Sequence, residues 1–409
     1  MHTKTLVVAG GGAAGFFCAV NAARMNPALR VILLEKSTKL LAKVKISGGG
    51  RCNLTHQCDS ITEMVKCYPR GGSFLKKAFH HFFTADTIAW FSNRGVSLVA
   101  EEDGRMFPAT NSSQTIIHCL LEEAEKFSVE IRMNTGVQGI KKKGHQWDVE
   151  TSNGIIAADF ICIATGGFTK SEHFNWLLST GHTLVSPLPS LFTFNLLDKS
   201  ITRLMGVSVD NAQVKIAGTK LSETGSLLIT HWGLSGHAVL RLSAWGARYL
   251  AEKDYNFEVL VNWCPKYNET SLLPVLALMR SENASQKIRN RNNFGLPARL
   301  WEYLLGCAGI GAEIRWADLP ARQQNSLAKV ICSSVFSMKG KTTFKEEFVT
   351  AGGISLQDID PNSMQSKLQE GLFFAGEIMD VDGITGGYNF QHAWTSGYLA
   401  AQTICSKAP

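Results

Sequence analysis

Unbroken apolar runs at both ends of the chain predict buried β-strands, and glycine-bearing turns follow three of the four predicted strands. The first run, TLVVA, precedes Gly10, Gly12 and Gly15 and then a predicted helix with small residues on one face. Further strands are predicted at RVILL, at residues 160–164 and at residues 372–375. Uninterrupted apolar strands are typical of parallel sheets that helices cover on both faces. Because parallel strands end at one edge, their glycine-bearing turns are predicted to converge on one crevice.

The middle of the chain follows a different pattern. From Leu191 to Thr230, short segments such as LFTFNL, AQVKIAG and GSLLIT predict strands, and a helix is predicted to begin near Ser235. NFEVLVNW predicts another strand, and residues 271–333 are mostly helical in pattern. FKEEFVTAGGIS then leads back toward the sheet. The glycines of GCAGIG follow a predicted helix rather than a strand, so we interpret them as a helix end and loop.

The first strand, glycine turn and helix form a dinucleotide-binding fingerprint in its required context. Gly10 permits the tight turn, Gly12 lets the backbone approach a pyrophosphate, and Gly15 lets the helix pack on the strand. The first-turn N–H groups of the helix are suited to bind the anion. RVILL ends at Glu35, where a carboxylate would accept hydrogen bonds from ribose hydroxyls. A ligand that several backbone turns contact is longer than a mononucleotide, and FAD fits best.

Composition excludes some classes of protein. The 409 residues carry a net charge of +7 and an apolar fraction of 45%, as expected of a globular chain with proper cores. The 10 cysteines include no Cys-x-x-Cys pair, which argues against a zinc site and for reduced thiols. The sequence contains no signal-peptide pattern and no apolar run of about 20 residues. We therefore expect a cytoplasmic protein without a metal or a membrane partner.

Five motifs in this order give the chain a resemblance to a known family. They are GGGAAG with Glu35 and Lys36, ISGGGRCNLT, IATGG, THWGLSG and FAGEIMDVDGITGGYNFQHAWTSG. Over its whole length the chain resembles the BaiN-type (HI0933-like) NAD(P)/FAD-dependent oxidoreductases. The resemblance implies an α/β, two-dinucleotide (Rossmann-like) FAD-binding domain at residues 1–190 and 343–409. It also implies an inserted β-barrel-like domain at 191–265 and 334–342, and a helical subdomain at 266–333.

The motifs and the resemblance together assign a set of cofactor-binding residues. The loop ISGGGRCN is expected to run along FAD toward the isoalloxazine, with glycines where side chains would strike the cofactor. The GITGGYN loop is expected to aim a helix N-terminus at the pyrimidine ring of the flavin. The assigned residues are Gly10, Gly12, Ala13, Ala14, Gly15, Glu35, Lys36, Lys43, Gly49, Gly50, Arg51, Cys52, Asn53, Val137, Ala164, Thr165, Gly166, Gly376, Glu377, Asp382, Gly386, Gly387, Tyr388 and Asn389.

Four residues have open roles. Cys52 is either a small packing residue, which we favour, or a redox thiol. His56, His231 and His392 are either structural groups or proton donors to a substrate. No acid–base pair stands out, so the sequence assigns no catalytic residue. His237 also stands where the family has proline, and FTKSEHFNWLLSTGH replaces a loop rich in proline and glycine.

The leading functional hypothesis is an FAD-dependent oxidoreductase that transfers hydride between the flavin and a small organic substrate, without a nucleic-acid partner. NAD(P)H is a candidate transient reductant, although the chain has only one dinucleotide fingerprint. One alternative is an FAD-bound RNA-modifying or RNA-binding protein, for which the sequence shows no RNA-specific module. Another is a flavin-binding protein without turnover.

Overall fold

Nineteen β-strands and thirteen α-helices occur in the described residues of the computed structural model, which are 3–342 and 349–408. The strands are β1 (Thr5–Ala9), β2 (Arg30–Leu34), β3 (Thr55–His56), β4 (Leu98–Ala100), β5 (Arg105–Pro108), β6 (Glu130–Arg132), β7 (Val137–Lys143), β8 (Gln146–Thr151), β9 (Gly154–Ala158), β10 (Phe160–Ile163), β11 (Leu184–Ser190), β12 (Thr193–Leu196), β13 (Ser208–Ile216), β14 (Ser222–Ile229), β15 (Gly233–Ser235), β16 (Asn256–Asn262), β17 (Ser334–Thr342), β18 (Val349–Ile354) and β19 (Leu372–Phe374). The helices are α1 (Ala13–Met25), α2 (Ala42–Gly50), α3 (Ile61–Val65), α4 (Gly72–Phe79), α5 (Thr84–Ser92), α6 (Ser113–Lys126), α7 (Asn175–Leu178), α8 (His237–Trp245), α9 (Ala247–Glu252), α10 (Glu269–Glu282), α11 (Ala298–Cys307), α12 (Ala321–Cys332) and α13 (Tyr388–Lys407).

The apolar runs predicted as strands form one parallel sheet in the order β19-β10-β1-β2-β6. Every residue of β1 is buried, because β1 lies between β10 and β2 in the sheet and packs against α1. Ala9 at the end of β1 lies opposite both Ile163 and Leu34. The carboxyl ends of neighbouring strands are therefore in register, and the turns that follow them meet at one edge.

Helices α1 and α13 join the two ends of the chain, and glycine allows each close contact. A Cβ added at Gly15 would lie 1.9 Å from the carbonyl oxygen of Gly10. A Cβ added at Gly397 of α13 would lie 2.6 Å from the carbonyl oxygen of Ala14. Side chains at these positions would push α1 off the sheet or α13 off α1. The last helix is consequently an integral part of the N-terminal fold.

The described residues divide into two units, 3–190 with 349–408 and 191–342. In the second unit a closed barrel has the strand order β12-β15-β14-β13-β16-β17. Its apolar core includes the buried side chains of Trp263, Trp301 and Trp316. The predicted α/β fold class, with a parallel sheet and a β-barrel, is confirmed. The predicted domain boundaries stay predictions, and the boundary at residue 343 lies outside the described residues.

One smaller interpretation from the sequence is also confirmed. The segment GCAGIG spans the end of α11 at Cys307 and the loop after it. The basic run Lys141–Lys143 lies on a hairpin between β7 and β8. Within the described residues, no helix is both long and apolar enough to cross a membrane.

Candidate functional site

The glycines at the carboxyl edge of the sheet are of two kinds. Gly10 is fixed by packing, because a Cβ there would lie 2.3 Å from the carbonyl oxygen of Ala164. In contrast, a Cβ added at Gly12 or Gly166 would meet no heavy atom within 4 Å. The first turn of α1 also has no capping side chain and no acidic residue. The edge therefore offers open space beside N–H groups suited to an anion.

Glu35 lies at this edge, at the end of β2. Its Oε2 accepts a hydrogen bond from the Gly11 N–H at 3.0 Å, and its Oε1 accepts two from Ser37 at 2.9 and 2.8 Å. A carboxylate has about four acceptor positions, so capacity for a ligand hydroxyl remains. The Thr135 N–H donates to the Glu35 carbonyl oxygen at 2.8 Å, which places the chain before Val137 beside Glu35. These contacts are compatible with the predicted ribose-binding role.

The last three residues of α2, Gly48, Gly49 and Gly50, have left-handed backbone and form a glycine loop. A Cβ on Gly49 would meet no heavy atom within 4 Å. Arg51 holds this loop: its Nε donates to the Gly48 carbonyl oxygen at 3.3 Å and its Nη1 lies 2.7 Å from Glu101 Oε1. Its guanidinium also lies 4.0 Å from the ring centroid of Phe107. Arg51 therefore shapes the loop and leaves Gly49 open.

Cys52 is fully buried directly after this loop. Burial raises the pKa of its thiol to about 12, so it stays protonated at neutral pH. All ten cysteines are free thiols, which gives Cys52 no disulfide partner. These properties support the packing role over the redox role.

The loop after α2 is joined directly to the loop before α13. His56 Nδ1 lies 3.0 Å from the carbonyl oxygen of Gly386, and its ring stacks on Tyr388 at 4.8 Å. The side-chain amide of Asn53 is oriented so that both its oxygen and its nitrogen form hydrogen bonds. In this orientation the oxygen accepts from the Gly387 N–H at 3.0 Å. Since a carbonyl oxygen only accepts, Nδ1 of His56 carries the proton, which indicates a role in positioning the loop.

Two predicted ligand residues of the α13 loop instead bind within the protein. The Asn389 amide accepts from the Gly383 N–H at 2.8 Å and donates to the Gly383 carbonyl oxygen at 2.9 Å. Asp382 is fully buried, forms an ion pair with Arg70 and accepts from the Ser190 hydroxyl at 2.7 Å. Burial raises the pKa of Asp382, while the Arg70 guanidinium opposes this effect. Both side chains hold the loop in shape, and direct contact with a cofactor stays a prediction.

Glu377 follows the last strand and links three segments. Its Oε2 lies 2.6 Å from Lys43 Nζ, and its Oε1 accepts from the Thr350 N–H at 2.7 Å. Buried beside it are polar atoms without a hydrogen-bond partner among the described residues: Thr350 Oγ1 and both ring nitrogens of His392. Burial lowers the pKa of His392 to about 4, although the Gly376 backbone and the Glu377 charge oppose the shift. Unsatisfied buried polar groups next to an open glycine cradle are expected where a polar ligand is missing.

The predicted site residues fall into distinct groups. One group lies at the carboxyl edge of the parallel sheet. It consists of the fingerprint glycines with Ala13 and Ala14, Glu35, Lys36, the start of β7 and the turn from Ala164 to Gly166. Asn53 contacts Gly387, and the nearby His56 contacts Gly386 and Tyr388, whereas Arg51 contacts Gly48, Glu101 and Phe107. His231 belongs to the second unit, where it is exposed and its ring contacts Trp232. Sequence reasoning missed Arg70, Glu101 and Thr350, for which no local motif gives a signal.

Comparison with known proteins agrees with this geometry. The sequence model of the protein family described as HI0933-like protein Rossmann domain matches residues 4–403. The chain belongs to this family. Its members are FAD-dependent oxidoreductases, so the chain is a flavin-dependent enzyme, as the sequence predicted.

Curated relatives match over nearly the whole chain. The ribosomal RNA dihydrouridine synthase of Escherichia coli is 29% identical over 99% of this chain and 98% of its own. The protein of the same name from Haemophilus influenzae is 28% identical over 97% of this chain and 98% of its own. The 3-dehydro-bile acid delta(4,6)-reductase of Clostridium scindens is 25% identical over 98% of both chains.

Solved structures of low identity share the fold. The 3-ketosteroid-delta4-(5alpha)-dehydrogenase of Rhodococcus jostii is 14% identical, covers 98% of both chains and has a TM-score of 0.51. The 3-ketosteroid delta1-dehydrogenase of Sterolibacterium denitrificans is 12% identical, with a TM-score of 0.52 over 99% of this chain and 100% of that chain. These likenesses show the fold alone.

Replacing Gly12 with valine should abolish FAD retention while the protein still folds. The backbone φ at Gly12 is −94°, which valine can adopt, and the new side chain would fill the space reserved for the pyrophosphate. The measurement is the ratio of FAD absorbance to protein after purification. Gly306→Val is the matched control, because a Cβ at Gly306 also meets nothing within 4 Å. Stoichiometric FAD in a folded Gly12→Val protein would contradict the assignment.

Replacing Arg70 with methionine should destabilise the protein at neutral pH by about 3–5 kcal/mol, because Asp382 would be left as an unpaired buried charge. Burial raises the pKa of Asp382 in the folded state, so the folded protein gains the proton more readily than the unfolded chain. The loss of stability relative to the wild type should therefore become smaller as the pH falls toward that raised pKa. The free energy of unfolding of both proteins is measured by thermal unfolding at pH 5 and pH 7.5.

The double variant Arg70→Met/Asp382→Asn is the control for this prediction. It removes both charges, so its deficit should be smaller and independent of pH. A loss of stability in Arg70→Met that is the same at both pH values would show that the Asp382 charge is not the cause.

Proposed function

We propose that this enzyme reduces the C5=C6 double bond of a uracil ring in ribosomal RNA to give dihydrouridine. The observation that carries the proposal is similarity of 29% and 28%, over nearly full length, to two ribosomal RNA dihydrouridine synthases. This substrate belongs to the RNA-modifying alternative of the sequence analysis rather than to its small-molecule hypothesis.

The names of the three relatives have a common chemistry. Dihydrouridine differs from uridine by saturation of a C=C bond conjugated to a ring carbonyl. A 3-dehydro bile acid with delta(4,6) unsaturation also has C=C bonds conjugated to a carbonyl. Hydride addition to such a bond places negative charge on the carbonyl oxygen, so reduction of conjugated double bonds is the reaction class that all three names support.

The site residues fit the cofactor that this reaction needs. When bound, FAD supplies a hydride from N5 of its reduced isoalloxazine ring. We propose that the α1 N-terminus at Gly12 binds the pyrophosphate and that Glu35 binds the adenosine ribose. The residues from Gly49 to Asn53 and the α13 N-terminus at Gly387 would then border the isoalloxazine, where the partial positive charge of the helix stabilises negative charge on the reduced ring.

The overall reaction consumes a nicotinamide. NAD(P)H is oxidised to NAD(P)⁺, and the uracil ring gains a hydride at C6 and a proton at C5. We propose that the nicotinamide acts transiently, because the chain has one dinucleotide fingerprint and the residues of that fingerprint are assigned to FAD.

Formation of dihydrouridine tests the proposal. The FAD-loaded protein is incubated with unmodified ribosomal RNA transcripts and NADPH or NADH, and digested nucleosides are quantified by mass spectrometry. We expect dihydrouridine at a defined position, dependent on both FAD and the nicotinamide. The Gly12→Val protein is the control and should form none.

The small-molecule hypothesis is tested in a parallel reaction. A 3-oxo steroid with 4,6-diene unsaturation replaces the RNA, and the loss of the dienone absorbance is measured. Turnover of the dienone with no dihydrouridine in any ribosomal RNA would contradict the RNA substrate.

A further inference from the structure

A groove of about 750 Å³ on the first unit is lined by two segments, residues 65–77 and 356–367. Its apolar lining residues include Val65, Leu356 and Pro361, and its charged lining residues are Lys66, Lys76, Lys77 and Lys367. No aspartate or glutamate lines it. A groove lined by apolar residues and four lysines matches a polyanion that also presents flat, weakly polar surfaces.

The lysines of the groove differ in the contacts that they form with the rest of the protein. Lys66 Nζ lies 2.7 Å from Glu63 on an exposed turn, and Lys367 Nζ donates to the Gln357 carbonyl oxygen at 2.8 Å. Lys76 and Lys77 are exposed on α4, and neither has an ion-pair or hydrogen-bond partner among the described residues. These two ammonium groups are therefore available to an external anion.

Glu63 and Asp360 offset part of the charge on Lys66 and Lys367, whereas no acidic residue among the described residues forms an ion pair with Lys76 or Lys77. Asp358 accepts a hydrogen bond from the Thr183 N–H at 2.8 Å, and Asp360 accepts from Ser363 and Asn362 within its own turn. Neither belongs to the lining. The groove thus retains a net positive charge.

One segment that lines the groove packs against the loop assigned to the flavin ring. Tyr68 lines the groove, and its hydroxyl donates to the Tyr388 carbonyl oxygen at 2.7 Å. A Cβ added at Gly71, another lining residue, would lie 2.6 Å from Val381. The Ile384 N–H also donates to the Cys67 carbonyl oxygen at 2.9 Å. A strand of RNA in the groove would lie on the segment that packs against the start of α13.

We infer that this groove docks the sugar–phosphate backbone of the RNA next to the target uridine, with Lys76 and Lys77 binding phosphates. The inference rests on the proposed function and names the surface that distinguishes an RNA substrate from a free small molecule. Phosphate contacts of this kind position the nucleic acid and supply salt-dependent affinity without reading sequence.

The test compares Lys76→Ala/Lys77→Ala with Lys141→Ala/Lys143→Ala, which removes the same charge from the β7–β8 hairpin. RNA affinity is measured by fluorescence anisotropy across a salt series. We expect roughly tenfold weaker binding in the groove variant, and a salt slope lower by about 1.4, since each phosphate contact to a single strand contributes about 0.7. The hairpin control should bind like the wild type.

Activity gives a second readout. In the groove variant, the KM for RNA should rise while kcat and the rate of flavin reduction by NADPH stay at wild-type values. If the wild type forms dihydrouridine and the groove variant matches the hairpin control in affinity and KM, the docking inference is overturned while the proposed function stands.

Two other outcomes would also overturn the inference. A wild type that neither binds RNA nor forms dihydrouridine would remove the proposed function and the docking surface together. Competition by polyglutamate as effective as that by RNA would show that the lysines serve an acidic protein instead.

Discussion

The first and last helices of the chain can touch only because glycine stands at the contact points. With Gly15 against Gly10, and Gly397 against Ala14, no side chain separates α1 from the sheet or α13 from α1. This packing places the C-terminal helix beside a fingerprint that lies near the N-terminus. The assembly of a candidate site from motifs at both ends of the chain depends on it.

Glycine serves a second purpose at the same edge. Gly12, Gly49 and Gly166 do not make room for other parts of the protein, because a Cβ on any of them would meet nothing within 4 Å. Around them, Arg51, His56 and Asn53 use their hydrogen bonds to hold loops rather than to fill the space. The surrounding side chains therefore keep this edge open beside the N–H groups of the first turn of α1. Such a space is consistent with a dinucleotide cofactor.

The parts of the fold with short-range signals could be predicted from sequence. Apolar runs specified the strands, and the fingerprint and its glycine spacing specified the turn and α1. Contacts between distant segments could not be predicted, because each partner lacks a local signature. Arg70 and Asp382 are 312 residues apart, and nothing near Arg70 indicates a buried ion pair. Likewise, nothing in the motif around Asn389 indicates that its amide binds the backbone of Gly383.

The lysines of the groove are another feature without a local signal. In a sequence, a nucleic-acid-binding surface is recognised from basic residues that cluster along the chain. Lys367 reaches the groove from a segment far from Lys66, Lys76 and Lys77, so folding creates a cluster that the sequence does not display. Charge that is modest overall can thus be concentrated on one surface of the first unit.

The most direct test of the account is a crystal structure of the FAD-loaded protein. The account predicts the pyrophosphate at the N–H groups after Gly12 and the adenosine ribose on Glu35. It also predicts the isoalloxazine between the Gly49–Asn53 loop and the N-terminus of α13 at Gly387. A flavin bound elsewhere, or an isoalloxazine that does not contact these two loops, would contradict it.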